Sequence, residues 1–147
     1  MLKEEKIKTA FLAGEFYPSE KTELEKTIEN FLPKKNFQKI KSKLWGVLAP
    51  SDHYLLCGFV LGSIYSILRQ TYYKTVILVS DFFGKEREEI SIWSEGKWET
   101  PLGEVSVDEE LAKSFLNFQK RVVFDEKIYF FDSFLEPQLP FLQKVFG

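Results

Sequence analysis

Ser51, Asp52 and His53 follow one another, so a hydroxyl, a carboxylate and the single imidazole of this chain lie in one short stretch. These are the three groups of a nucleophilic triad. A working triad aligns nucleophile, base and orienting acid through side-chain geometry, usually from distant segments, and three consecutive residues cannot hydrogen-bond in that line. The lone thiol, Cys57, comes four residues after His53. It would be nucleophilic if its thiolate were stabilised at a helix start. A small cysteine packed as a hydrophobe is the commoner arrangement. With one cysteine and one histidine, neither an internal disulfide nor a Cys₄ or Cys₂His₂ zinc site can be assembled.

The elements that would carry these groups read as alternating strands and helices. Ser19 or Thr22 is placed to cap a helix running to Leu32, with Leu24, Ile28, Phe31 and Leu32 on its apolar face and Pro33 ending it. Residues 34–43 are lysine-rich and read as a solvated helix or loop, or else as an anion patch. Residues 44–49 are apolar and stop at Pro50, which predicts a buried strand with residues 50–54 as the loop at its carboxyl end. Residues 58–70 predict a buried helix in which Gly62 and Ser63 permit close packing. Residues 75–80 are β-branched and apolar, the pattern of a central strand, with Asp81 opening the next loop. That order predicts a right-handed βαβ unit, and ligands of open α/β sheets bind beyond the carboxyl ends of such strands.

Further on, residues 90–93 predict a short strand and 98–103 a turn. Asp108 caps a helix to about Phe118 with Leu111, Phe115 and Phe118 on one face. Residues 122–124 and 128–131 predict strands. Residues 134–146 predict a helix with Pro137 in its first turn and a kink or extended piece at Pro140. The expected fold class is therefore α/β: a single domain over residues 1–147, with residues 1–9 a polar lead-in and a central mixed sheet flanked by helices.

The totals agree. The chain has 147 residues, 44% apolar and 29% charged, the profile of one soluble domain with a single core. The net charge of -2 argues against a nucleic-acid partner. The charged start lacks a signal core, and no stretch reaches the roughly 20 apolar residues of a membrane span. A cytoplasmic protein is expected.

Five blocks in order resemble the Memo family. They are Ala13-Gly14-Glu15-Phe16-Tyr17-Pro18 with Leu24; Gly46-Val47-Leu48-Ala49-Pro50 with Tyr54 and Gly58; Val76 to Val79 with Gly84; Trp98-Glu99-Thr100-Pro101-Leu102-Gly103 through Val105 and Val107 to Asp108; and Leu135-Glu136 with Gln138-Leu139-Pro140-Phe141-Leu142-Gln143. The resemblance implies a fold similar to the class III extradiol dioxygenases, this chain matching the amino-terminal half. It also implies a pocket built on histidines and linked to redox metal binding. In animals the family is associated with motility signalling and phosphotyrosine peptide binding. The family pattern continues well beyond this point and brings a pocket cysteine, so the chain reads as either a short form or a fragment.

The same resemblance locates a loss. Ser51, Phe82 and Ser133 occupy the positions of the family's pocket histidines. Imidazole suits iron, copper and zinc, whereas serine hydroxyls are weak ligands and a phenyl ring is none. No metal or cofactor of the family type is expected. The residues left to line a residual pocket are Tyr17, Asp52, His53, Tyr54, Asp81, Trp98, Asp132, Glu136 and Gln138. Asp52, Asp81 and Asp132 adjoin the replaced positions, and a cluster of these carboxylates would hold a hard cation such as Mg²⁺ or Mn²⁺, but neighbours in extended backbone point to opposite sides and need not converge. The expected role is a non-catalytic binding or assembly protein. The alternatives are an enzyme with a remodelled pocket at Asp52, His53 and Asp81, or a regulatory subunit of an intact relative. Phe82, Phe83, Phe130, Phe131, Phe134, Phe141 and Phe146 suggest exposed apolar surface, best buried in a homodimer.

Overall fold

In a computed structural model, which describes residues 5–34, 40–42, 44–81, 88–130 and 134–147, the spacing of Leu24 and Ile28 forms helix α1 (Lys21–Phe31). Both side chains are fully buried. The cap is Glu20, with no side-chain hydrogen bond, in place of the expected Ser19 or Thr22. Helix α2 (Tyr54–Leu68) starts four residues earlier than its pattern predicts. It packs its Tyr54, Cys57, Leu61 and Tyr65 face against α1 and the carboxyl-terminal helix α5 (Leu139–Phe146). Phe141 closes this first core, with its ring stacked on Tyr65 at 5.2 Å between centroids.

The α/β class holds, but the sheet is divided in two. Strands β1 (Ile7–Lys8), β3 (Lys97–Thr100) and β4 (Gly103–Ser106) make one sheet, parallel between β1 and β3 and antiparallel between β3 and β4. Strands β2 (Ile90–Ser91) and β5 (Val122–Val123) pair in parallel as the other. The stretch read as a turn at 98–103 is thus most of a hairpin. Its tight end uses Gly103 at φ +125, a conformation that glycine adopts without steric cost. The lead-in read as polar contributes β1, because Lys8 is buried there.

Residues 44–49 and 75–80 join no ladder among the described residues, so the expected βαβ unit does not form there. Leu48 is 95% exposed and Val79 is 86% exposed. Apolar, β-branched composition promotes a strand only when a neighbouring strand and a covering layer are present. Residues 128–131, read as a strand, fall largely in helix α4 (Glu126–Phe130).

Helix α3 (Glu109–Phe118) has the predicted Asp108 cap, whose carboxylate accepts from the Leu111 amide at 3.1 Å. It buries Ala112 rather than the predicted face, and Phe118 stays exposed. At the carboxyl end a single 3₁₀ turn (Glu136–Gln138) leads into α5, so both prolines sit in first turns and no kink is needed at Pro140. Around Trp93 and Trp98 a second core forms, with Tyr129 and Leu139. Among the described residues no helix is long and apolar enough to cross a membrane.

Candidate functional site

The two cores meet at the 3₁₀ turn, which points Glu136 and Gln138 inward. Glu136 is fully buried. One carboxylate oxygen accepts from the Leu12 amide at 2.7 Å and the Tyr17 hydroxyl at 2.6 Å. The other accepts from the Lys8 ammonium at 2.6 Å and the Phe11 amide at 3.2 Å. Four donors, one of them charged, are what a buried carboxylate requires. The Lys8 ammonium also donates to the Thr9 carbonyl at 3.1 Å and lies 5.0 Å from the centre of the Trp98 ring. Burial and the adjoining carboxylate push the Tyr17 hydroxyl well above its ordinary pKa, so it remains a donor.

Gln138 performs the same service on the other side of the turn. Its carbonyl accepts from the Tyr65 hydroxyl at 2.9 Å and its amide donates to the Pro50 carbonyl at 2.9 Å. Tyr54 donates to the Pro137 carbonyl at 2.7 Å, and burial raises its pKa strongly. Ser51 donates its hydroxyl to the Phe134 carbonyl in a short contact. Tyr17, Tyr54, Glu136 and Gln138 therefore converge at the 3₁₀ turn. They converge on one another and on backbone, where each is engaged. Trp98 joins them through Lys8 and stacks edge-on with Trp93 and Tyr129 at 5.9 and 5.7 Å.

Asp52 and His53 lie outside this network. The Asp52 carboxylate accepts from the His53 ring Nδ1 at 2.7 Å and from the His53 amide at 2.6 Å. These hydrogen bonds hold the Asp52 carboxyl below its usual range. The imidazole stacks on Phe16 with centroids 3.9 Å apart. The Ser51 hydroxyl is directed to Phe134, so the three consecutive residues do not form a triad. Asp81 is exposed. Phe82, Asp132 and Ser133 lie outside the described residues, as do Phe83 and Phe131, the Phe130 side chain and most of the lysine-rich segment.

Cys57 behaves as part of the core. It is 6% exposed, and its sulfur lies 3.3 Å from the Asp52 carbonyl and 3.5 Å from that of His53, in position to donate to both. Burial pushes the thiol above its ordinary pKa, opposite to what a nucleophile requires. A thiol reagent is therefore expected to label native protein at the rate of global opening, and quickly only in denaturant. Fast labelling of folded protein would contradict this burial.

Ser51, expected to stand at a family histidine position, has its hydroxyl on a backbone partner. Among the described residues, no group of three or more His, Cys, Asp or Glu is placed to hold a metal ion. The sequence reading missed Lys8, whose partner lies 128 residues away. It also missed Trp93, whose indole N–H is buried without a hydrogen-bond partner among the described residues. A lone lysine between Ile7 and Thr9 carries no local signal of burial.

The family model for Memo-like protein matches residues 8–147. A MEMO1 family protein of Sulfurisphaera tokodaii is 32% identical over 95% of this chain and 53% of its own length. The MEMO1 family protein of Nitrosopumilus maritimus is 32% identical over 96% of this chain and 53% of its length. That of Sulfolobus acidocaldarius is 33% identical, over 96% and 54%. The chain spans about half the length of the curated relatives it matches. No solved structure matches it. With the family match running from Lys8 through the Glu136 and Gln138 network to Gly147, this chain belongs to the Memo-like family.

Proposed function

We infer that this chain is a degenerate Memo-like protein that works by binding or assembly rather than by the family's metal chemistry. The observation that carries this reading is the state of the residual pocket groups. Tyr17, Tyr54, Glu136 and Gln138 direct their polar atoms at the protein itself, and the Ser51 hydroxyl is closed onto Phe134. Such groups support the fold instead of receiving a substrate. On this reading the protein needs no cofactor, acts in the cytoplasm, and has a protein partner, first of all a second copy of itself. Its net charge of -2 fits neither nucleic acid nor an anionic membrane surface.

A second reading has one specific observation in its favour. The Asp52–His53 pair is partly exposed and places a carboxylate 2.7 Å from an imidazole nitrogen, the arrangement that orients a general base. An enzyme using Asp52, His53 and Asp81, or a regulatory subunit of an intact relative, would draw on it. The stacking of His53 on Phe16 favours the binding reading, because that ring contact fixes the imidazole face against the protein.

The test is elemental analysis of protein purified without chelator or affinity metal. The expected result is iron, copper and zinc far below one per chain. A stoichiometric metal would mean a new ligand set and would overturn the reading.

A further inference from the structure

Helix α2 carries no charged residue over its 15 positions, and its burial repeats in pairs. Tyr54, Cys57, Gly58, Leu61, Gly62 and Tyr65 face the core. The opposite face is as apolar but uncovered: Leu55 is 94% exposed, Leu56 74%, Phe59 70% and Val60 51%. A helix that is apolar all round belongs in an interior, and contiguous exposed apolar surface marks an interaction site. The face is also ordered in advance. Phe59 rests edge-on against Phe31 with centroids 4.9 Å apart, and the Ser63 hydroxyl is satisfied by the Phe59 carbonyl at 2.9 Å. No polar group on it would be stranded by being covered.

We propose that the Leu55, Leu56, Phe59 and Val60 face of α2 is a self-association surface that packs antiparallel against the same face of a second copy of this chain. This rests on the binding reading above and supplies its partner and surface. The charges at the ends of the helix select the occupant and the direction. Exposed Asp52 precedes α2 and exposed Arg69 follows it. Antiparallel pairing brings each Asp52 towards the partner copy's arginine, whereas parallel pairing sets like against like. It also opposes the two helix dipoles favourably. Between residues 52 and 69 the two-fold axis passes close to Phe59 and Val60, so each Phe59 lies near its own copy. A face without charge is compatible with itself, which an isologous interface requires.

The experiment is light scattering of the 147-residue chain at tens of micromolar, with Phe59→Glu and Phe59→Lys measured alone and mixed. The wild type is expected at twice 17.3 kDa. Each variant alone is expected at the monomer mass with its thermal transition retained, since residue 59 lies on the uncovered face. The equimolar mixture is expected to return to the dimer mass. A monomeric wild type overturns the proposal, and so does a dimer that both variants leave intact. A mixture that stays monomeric overturns the antiparallel geometry. If a variant fails to fold, Val60→Glu and Val60→Lys give the same readout, since Val60 is 51% exposed and also lies near the axis. Metal content is independent of this result, so the surface and the binding reading can fail separately.

Discussion

Glu136→Ala is expected to lower the unfolding free energy by about 3–5 kcal/mol, the usual cost of removing one partner from a buried ion pair. The substitution leaves the Lys8 ammonium, only 3% exposed as a side chain, without its carboxylate. It also strips the acceptor from the Leu12 and Phe11 amides and from the Tyr17 hydroxyl. An unmet buried donor costs about 1–3 kcal/mol. Domains of this size are stable by only about 5–15 kcal/mol, so the loss removes a large share of the protein's stability. Urea denaturation followed by tryptophan fluorescence measures it. Lys8→Met should cost less, because Glu136 keeps three donors and the methionine side chain can fill the space beside Trp98. Equal losses for the two variants would mean that the ion pair, and not the wider network, is what matters.

Gly62→Ala is the second large loss, up to about 2 kcal/mol net. Two effects oppose each other. Alanine favours a helix over glycine by about 1 kcal/mol. Against this, a Cβ at residue 62 would lie 2.1 Å from the carbonyl oxygen of Phe31, which is backbone and cannot rotate aside. Overpacking of this kind costs about 1–3 kcal/mol, occasionally more, and here it must separate α1 from α2. Gly58 is the informative comparison. Its Cβ would meet the Phe31 ring at 2.3 Å, a side chain that can swing, so Gly58→Ala should cost clearly less. Nothing lies within 4 Å of a Cβ at Gly46, and Gly46→Ala should be tolerated. Thermal melts of the three variants give the ranking, and a Gly62→Ala protein as stable as wild type would refute the contact.

What could be read from the sequence was local. The 3.6-residue spacing of Leu24 and Ile28, the Asp108 cap and the close approach at Gly62 each depend on neighbours in the chain or on residue size, and each is found. Tyr17, Tyr54, Glu136 and Gln138, named from the resemblance, come together at the 3₁₀ turn through hydrogen bonds within the protein. Pairing was not legible. Residues 44–49 and 75–80 have strand composition but no ladder, because a ladder is a property of two segments. Lys8 was misread for the same reason: a lysine is buried only where a distant carboxylate receives it. The exposed apolar surface was expected, but its location was not. Phe141 is in the core, while uncovered apolar residues lie on α2 and within residues 44–49 and 75–80. An unbroken apolar helix pattern cannot distinguish a face buried within the chain from one left for another.

The Glu136 network also sets an order of events during synthesis. Its donors at Lys8, Phe11, Leu12 and Tyr17 are made 119 to 128 residues before their acceptor. At about 5–20 residues per second, the nascent amino-terminal segment waits on the order of ten seconds for its carboxylate. Strand β1 pairs with β3 across a similarly long loop, and such nonlocal closure is slow. Strand β1 is therefore among the last of these elements to be secured.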